Sequence, residues 1–387
     1  MYPTSPHLSA PEGGEVCGVP RRLVGTPDMN RNNEILLERR GGLGIVTFNR
    51  PQALNTLSLA MYRTFDPQLI AWGEDESVEA ILVRGAGDRA FCAGGDVRAI
   101  YDARQESGSG DYKADFFREE YCLIERVHRF PKPYIALVDG ITMGGGCGVS
   151  INGGFRIATE RTVFAMPEVH IGLFPDVGAS RFLNLCPGRI GLYLALTGTR
   201  VRAADALYCG FATHYVSHDR LADLTTVLAS LDWDAANRMR QVEAAIARFA
   251  GDPGAARLLP MQAEIDRCFS GGSVEAIVAA LRQERASWAE EALAAIARAS
   301  PISLKITFHQ LMLGRGMSVE EALTLEYRMT QHVMAGHDFF EGIRALLVDK
   351  DNRPRWEHAA LEAVTEAEVA RYFESLGERE LRFDQVE

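Results

Sequence analysis

Apolar residues recur along the chain at two spacings. In EILLERRGGLGIVTFNRP, from Glu34 to Pro51, two short apolar runs flank Gly41-Gly42, which predicts a pair of strands around a turn, closed by Pro51. SLAMYRTFDPQLIAW then places its apolar residues on one face of a helix. VEAILVRG is an unbroken apolar run ending in glycine, the mark of a buried strand. The order then repeats. KPYIALVDG is a strand entering ITMGGGCGVSING, FRIATERTVFAMPE holds two more short strands, and ASRFLNLCPGRIGLYLALTG reads as two helices broken at Pro187-Gly188. Recurring β-β-α units predict a layered α/β fold, its strands covered by helices.

After about Ser217 the pattern changes. DRLADLTTVLASL, VEAAIARFA and SVEAIVAALRQERASWAEEALAAIARAS are helical, with Ala and Leu on repeating faces and charges between them. Ser318 and Glu321 have capping-box spacing, so a helix is expected to start there. This last third carries few chemical groups that stand out before HDFFEGIRALLVDKDNRPRW. The expected organisation is a flexible N-terminal extension over 1–32, an α/β core with the active site over 33–216, a helical insertion over 217–299 and a C-terminal helical region over 300–387.

Composition narrows the function. A chain of 387 residues, 47% of them hydrophobic, can bury a large core. Its net charge of −11 argues against a nucleic-acid surface, which needs clustered Lys and Arg. The seven cysteines show no paired spacing of a zinc site or disulfide scaffold, and no apolar run reaches membrane-spanning length. These features predict a cytoplasmic protein with no membrane or nucleic-acid partner.

Two glycine runs and two carboxylates carry the candidate chemistry. FCAGGDVRAI and ITMGGGCG each follow a buried strand, and backbone amides cleared of side chains at a helix start attract negative charge. The second run matches neither a phosphate-binding loop nor a dinucleotide fingerprint; tight helix-against-sheet packing is the alternative use of such glycines. In FAMPEVHIGLFPDVGASRF, Glu168 and Asp176 lie eight residues apart among apolar neighbours. Burial there would raise a carboxyl's pKa into the range of acid–base work; a turn residue and a helix cap are the plainer readings. His170 reads as an ordinary packed or solvated histidine, a catalytic role being the alternative. Cys92 and Cys147 read as small apolar residues, and Ser150 has no base paired with it.

NRPQALNTL at Asn49 to Leu57, FCAGGDVRAI, FFREEY at Phe116 to Tyr121, ALVDGITMGGGCGVS and AMPEVHIGLFPDVGASRFL together resemble the crotonase (enoyl-CoA hydratase/isomerase) superfamily. FFEGIRALLVDKDNRPRW is similar to its thioester-hydrolysing branch, and the likeness spans roughly residues 33 to 360. The resemblance implies a crotonase-like spiral of repeated β-β-α units. It implies that the Gly95 and Gly145 amides form an oxyanion hole for an acyl-CoA thioester, that Glu168 and Asp176 are catalytic, and that Glu120 contacts the substrate. Asp96 is expected to tie the oxyanion loop, and NRPQALN to lend backbone to the CoA surface.

One departure from the pattern bears on the reaction. Enoyl-CoA hydratases position water with two glutamates; Glu168 corresponds to the second, but the first falls at Gly148. The implied activity is therefore hydrolysis of a short 3-hydroxyacyl-CoA, 3-hydroxyisobutyryl-CoA from valine breakdown. Enoyl-CoA hydration or isomerisation, and acyl-CoA binding without turnover, are the alternatives. No metal or redox cofactor is expected, coenzyme A enters as part of the substrate, and the resemblance implies assembly of like chains through the C-terminal helices.

Overall fold

The computed structural model describes residues 33–105 and 112–383, so the expected extension over residues 1–32 lies outside the described residues. β1 (Ile35–Arg40) and β2 (Leu43–Phe48) pair antiparallel across the Gly41 turn. Three strand pairs follow: β3 (Ala80–Gly85) with β4 (Ala90–Cys92), β5 (Tyr134–Val138) with β6 (Ile141–Met143), and β7 (Phe155–Ala158) with β8 (Val163–Ala165). β9 (Val201–Arg202) and β10 (His214–Tyr215) complete the set. The first member of each pair joins a six-stranded sheet, β1-β2-β3-β5-β7-β10, and the second a four-stranded sheet, β4-β6-β8-β9. Each repeat thus advances both sheets by one strand, and the chain winds as a spiral.

The apolar runs of β2 and β3 are continuous because both faces of the large sheet are covered. Val46, Phe48, Ile81 and Val83 face the main core. Leu43, Ile45, Leu82 and Ile135 face outward under Leu224, Leu228, Val242 and Ile246, from the helices Leu221–Ala229 and Arg238–Ala247.

On the inner side lie α1 (Leu59–Glu74), α2 (Val97–Asp102), α3 (Tyr112–His128), α4 (Gly145–Ile151) and the short α5 (Ala179–Phe182). The helices Pro301–Leu313 and Val319–Ala335 pack against α5, and the latter also against α3. The Ser318–Glu321 capping box forms as expected.

The helical run read over residues 273–300 is interrupted. It forms Val274–Leu281 and Ser287–Arg298, with Ala286 extended between them. Leu281 and Trp288, seven apart and both buried, keep the stripe in phase across the break, so periodicity alone does not reveal it. Among the described residues no helix is long and apolar enough to cross a membrane.

Candidate active site

The small sheet brings the candidate residues together. β4, β6 and β8 are parallel neighbours, with Cys92 opposite Thr142 and Met143 opposite Ala165. The segments leaving their carboxyl ends, Ala93–Asp96, Gly144–Gly145 and Met166–Glu168, therefore emerge side by side, where open α/β sheets commonly bind ligands.

The first segment is pinned at both ends. Leu57 N donates to Gly94 O at 2.9 Å, and Asp96 N donates to Leu57 O at 2.8 Å. Asp96 caps α2 by accepting from Ala99 N and also takes a 2.9 Å bond from Arg50 Nη2. Asp96 is thus the tie expected from the sequence, and NRPQALNTL supplies its anchor through Arg50. In the second segment, Gly144 holds φ +47° and ψ −123° before α4, a conformation that favours glycine.

A methyl group placed on Gly145 would lie 3.2 Å from Gly95 N and would collide with Glu120 Oε1, so the two glycine segments and Glu120 meet at one point. Neither the Gly95 nor the Gly145 N–H donates a hydrogen bond within the described residues. Two free amides at the mouth of a sheet are suited to an oxygen that gains negative charge.

Three buried carboxyls surround this point. Glu120, on α3, is 3% exposed and accepts from Tyr62 Oη at 2.5 Å. Asp176, after Pro175, is 4% exposed and accepts from Tyr121 Oη at 2.7 Å. Glu168 opens a 3₁₀ turn, Glu168–Ile171, and its Oε2 is buried without a partner among the described residues. Within the described residues none of the three forms an ion pair.

Burial, with the charge of Asp176 added, pushes Glu120 up to about 8 and holds Glu168 well above the usual carboxyl range. Burial also raises Asp176, to about 6, but the Tyr121 hydrogen bond opposes it. Tyr62 and Tyr121 are held well above the usual phenol range, chiefly by burial, and remain O–H donors.

All five sequence-derived site residues, Gly95, Gly145, Glu120, Glu168 and Asp176, thus converge. His170 instead places Nε2 3.0 Å from Thr197 O. Burial pushes the Cys92 thiol up to about 12 and Cys147 well above its usual value, so neither is a thiolate. Ser150 donates to Gly146 O.

At Gly148 a methyl group would stand 2.6 Å from Ile124 Cδ1 and 2.8 Å from Val177 Cβ. The position that the resemblance matches to the first hydratase glutamate is thus filled by neighbours.

The reading of the last third as chemically sparse is corrected here. Glu326, fully buried, accepts from Gly178 N at 2.6 Å and Ser180 N at 2.7 Å, just beyond Asp176. The available signal was its spacing: Glu326 stands seven residues from Val319 and from Val333, on the buried stripe of its helix. Tyr62 and Tyr121 were also missed.

Known proteins agree with this architecture. The family described as Enoyl-CoA hydratase/isomerase matches residues 43–373, and the chain belongs to that family. It is 46% identical over 354 residues to the "3-hydroxyisobutyryl-CoA hydrolase, mitochondrial" of Rattus norvegicus, covering 90% of this chain and 91% of that protein. The Homo sapiens protein of the same name is 46% identical over 352 residues, with the same coverage. Among solved structures, a carnitinyl-CoA dehydratase from Mycobacterium thermoresistibile matches at 42% identity with a TM-score of 0.82, covering 89% of this chain and 97% of that one. An enoyl-CoA hydratase from Rhodobacter sphaeroides 2.4.1 matches at 38% identity, also with a TM-score of 0.82, covering 90% of this chain and all of that one. The fold is crotonase-like, a spiral of β-β-α units followed by a helical C-terminal region.

Proposed function

We propose that the chain hydrolyses the thioester of a short 3-hydroxyacyl-CoA, 3-hydroxyisobutyryl-CoA, to 3-hydroxyisobutyrate and CoA. One observation carries the reading: Glu168 and Asp176 stand as neighbouring buried carboxyls, while Ile124 and Val177 fill the space over Gly148. Both curated relatives are named as hydrolases of this substrate. Hydration is the competing reading, favoured by the names of the two solved neighbours, and the filled space at Gly148 counts against it.

In the proposed reaction the Gly95 and Gly145 amides receive the thioester oxygen and stabilise the charge that grows on it. Loss of one such donor typically costs about 3 kcal/mol of transition-state stabilisation. The two buried neighbours titrate as a coupled pair that shares one proton. Catalysis uses the form with the charge on Glu168 and the proton on Asp176. As carboxylate, Glu168 activates water or attacks the carbonyl carbon itself; the anhydride formed by attack is then opened by water. Asp176 passes its proton to the departing sulfur as the C–S bond breaks. One water is consumed, and acid and thiol leave. Glu120, held by Tyr62, is positioned to bind the 3-hydroxyl.

No metal or redox cofactor enters these steps. A cytoplasmic location and self-assembly through the C-terminal helices belong to the same proposal. Cell fractionation and sedimentation velocity test them, and recovery in mitochondria, the word in the relatives' names, overturns the first.

The deciding measurement follows free thiol from 3-hydroxyisobutyryl-CoA, with enoyl-CoA hydration monitored separately. Wild type is expected to release thiol, and Glu168→Gln and Asp176→Asn to lose roughly 10²–10⁴-fold in kcat. Hydration without thiol release overturns the proposal in favour of the competing reading.

A further inference from the structure

Val177, immediately after Asp176, has φ +58° and is the one β-branched residue at positive φ among the described residues. That conformation is rare for such a side chain and persists where surrounding structure enforces it. The enforcing contacts come from two helices more than a hundred residues further along the chain. Before Asp176, Gln310 Nε2 donates to Pro175 O at 2.6 Å; after it, the same nitrogen donates to Ser180 Oγ at 2.9 Å. Glu326 takes the Gly178 and Ser180 amides, one on each carboxylate oxygen. From the other side, Asn152 Nδ2 reaches Val177 O at 3.3 Å.

Gln310 and Glu326 are both fully buried. Glu326 forms no ion pair within the described residues, and burial raises its pKa to about 8 against the pull of the two amides. A carboxyl kept in the core without a cation is costly, so its two bonds to one short loop call for a use.

We propose that Glu326 and Gln310 are positioning residues, a brace from the C-terminal helices that holds residues 175–180 in their strained turn. Held this way, Asp176 meets Tyr121 and Glu168, and the Val177 side chain covers Gly148. On this account the late helices make the site a hydrolase site without touching substrate. The proposal rests on the hydrolase reading for its kinetic consequences, but not for its structural one.

The test takes Glu326→Gln, which turns one amide acceptor into an NH₂ group facing a donor, and measures two things. Hydrogen exchange of the peptide spanning Phe174 to Phe182, without substrate, is expected to speed up at the Gly178 and Ser180 amides by about tenfold or more, while exchange in β2 and β3 stays as in wild type. Thiol release is expected to fall by about 10–100-fold in kcat, with KM within about threefold, since a small misplacement of a reacting group costs that much. Adding Val177→Gly, which adopts positive φ without strain, is expected to bring the exchange of the Phe174–Phe182 peptide at least about a third of the way back to wild type on a logarithmic scale.

Unchanged exchange in Glu326→Gln overturns the brace whatever the substrate is. Faster exchange with wild-type kcat overturns its role in positioning. Failure of Val177→Gly to slow that exchange overturns the claim that strain is what Glu326 holds. If wild type itself releases no thiol, the functional reading fails, and the exchange result still decides the brace. Should Glu326→Gln not fold, Gln310→Leu removes the bonds to Pro175 and Ser180 while leaving the carboxyl, and it is read the same way.

Discussion

At position 148 the lack of a side chain is imposed by packing. Ile124 and Val177 stand so close that any Cβ must displace a core side chain, and Val177 is fixed by a loop that has little freedom to move. Gly148→Glu is therefore expected not to restore hydratase chemistry. It should lower stability by about 1–3 kcal/mol through overpacking, with more lost to the buried carboxylate. Urea denaturation beside an enoyl-CoA hydration assay checks both; a stable, hydrating Gly148→Glu protein would show that the pocket readily opens. The site residues legible in the sequence were those whose neighbours made them conspicuous, such as Glu168 and Asp176 in an apolar run. Tyr62 and Tyr121 were not, because a tyrosine in an amphipathic helix reads as ordinary core until its hydroxyl is seen to meet a carboxyl.

Among elements, strands, hairpin and helix starts followed from local pattern, because each is set by residues close in sequence. The division into two sheets did not. It depends on β3 passing over β4 to pair with β5, and on β4 pairing with β6, choices made about fifty residues away. The braced loop was hidden for a related reason: Glu326 breaks the polar-outside pattern of its helix, and its use becomes apparent once the helix lies against α5. The start of that helix offers a control. Ser318 accepts from Glu321 N, and the Glu321 side chain accepts from Ser318 N, both near the surface. Ser318→Ala is expected to cost about 1 kcal/mol in urea denaturation. It should leave kcat within about twofold, because Glu326 sits two turns further in, where tertiary packing fixes the helix. A collapse of kcat without loss of fold would place the cap in the positioning network.

Across the whole molecule the buried carboxyls set stability against activity. Glu120 and Glu326 are raised to about 8, Asp176 to about 6, and Glu168 also upward, all chiefly by burial. Between the unfolded carboxyl range and these values the folded chain binds more protons than the unfolded one. Their contribution is therefore fully present at low pH and is lost as pH rises toward 8, at up to about 1.4 kcal/mol per pH unit for each group. On the acid side the opposite sign applies to Glu368, lowered to about 2 by its Thr365 bonds, whose contribution is lost as pH falls toward that value. The melting temperature is expected to be highest near pH 4–5, where the raised and lowered carboxyls balance, and to fall steadily as pH rises toward 8. Thiol release, in contrast, should rise through about pH 6, because the proposed reaction needs one negative charge on the coupled Glu168–Asp176 pair. Asp176→Asn removes one carboxyl of that pair but keeps an oxygen to accept from Tyr121. It is expected to melt higher than wild type at about pH 8, to lose part of the alkaline slope, and to release almost no thiol. Melting curves and initial rates over the same pH series check this. An Asp176→Asn protein no more stable than wild type at alkaline pH would mean that Asp176 costs the fold nothing, and that its charge is compensated in a way the three buried carboxyls do not account for.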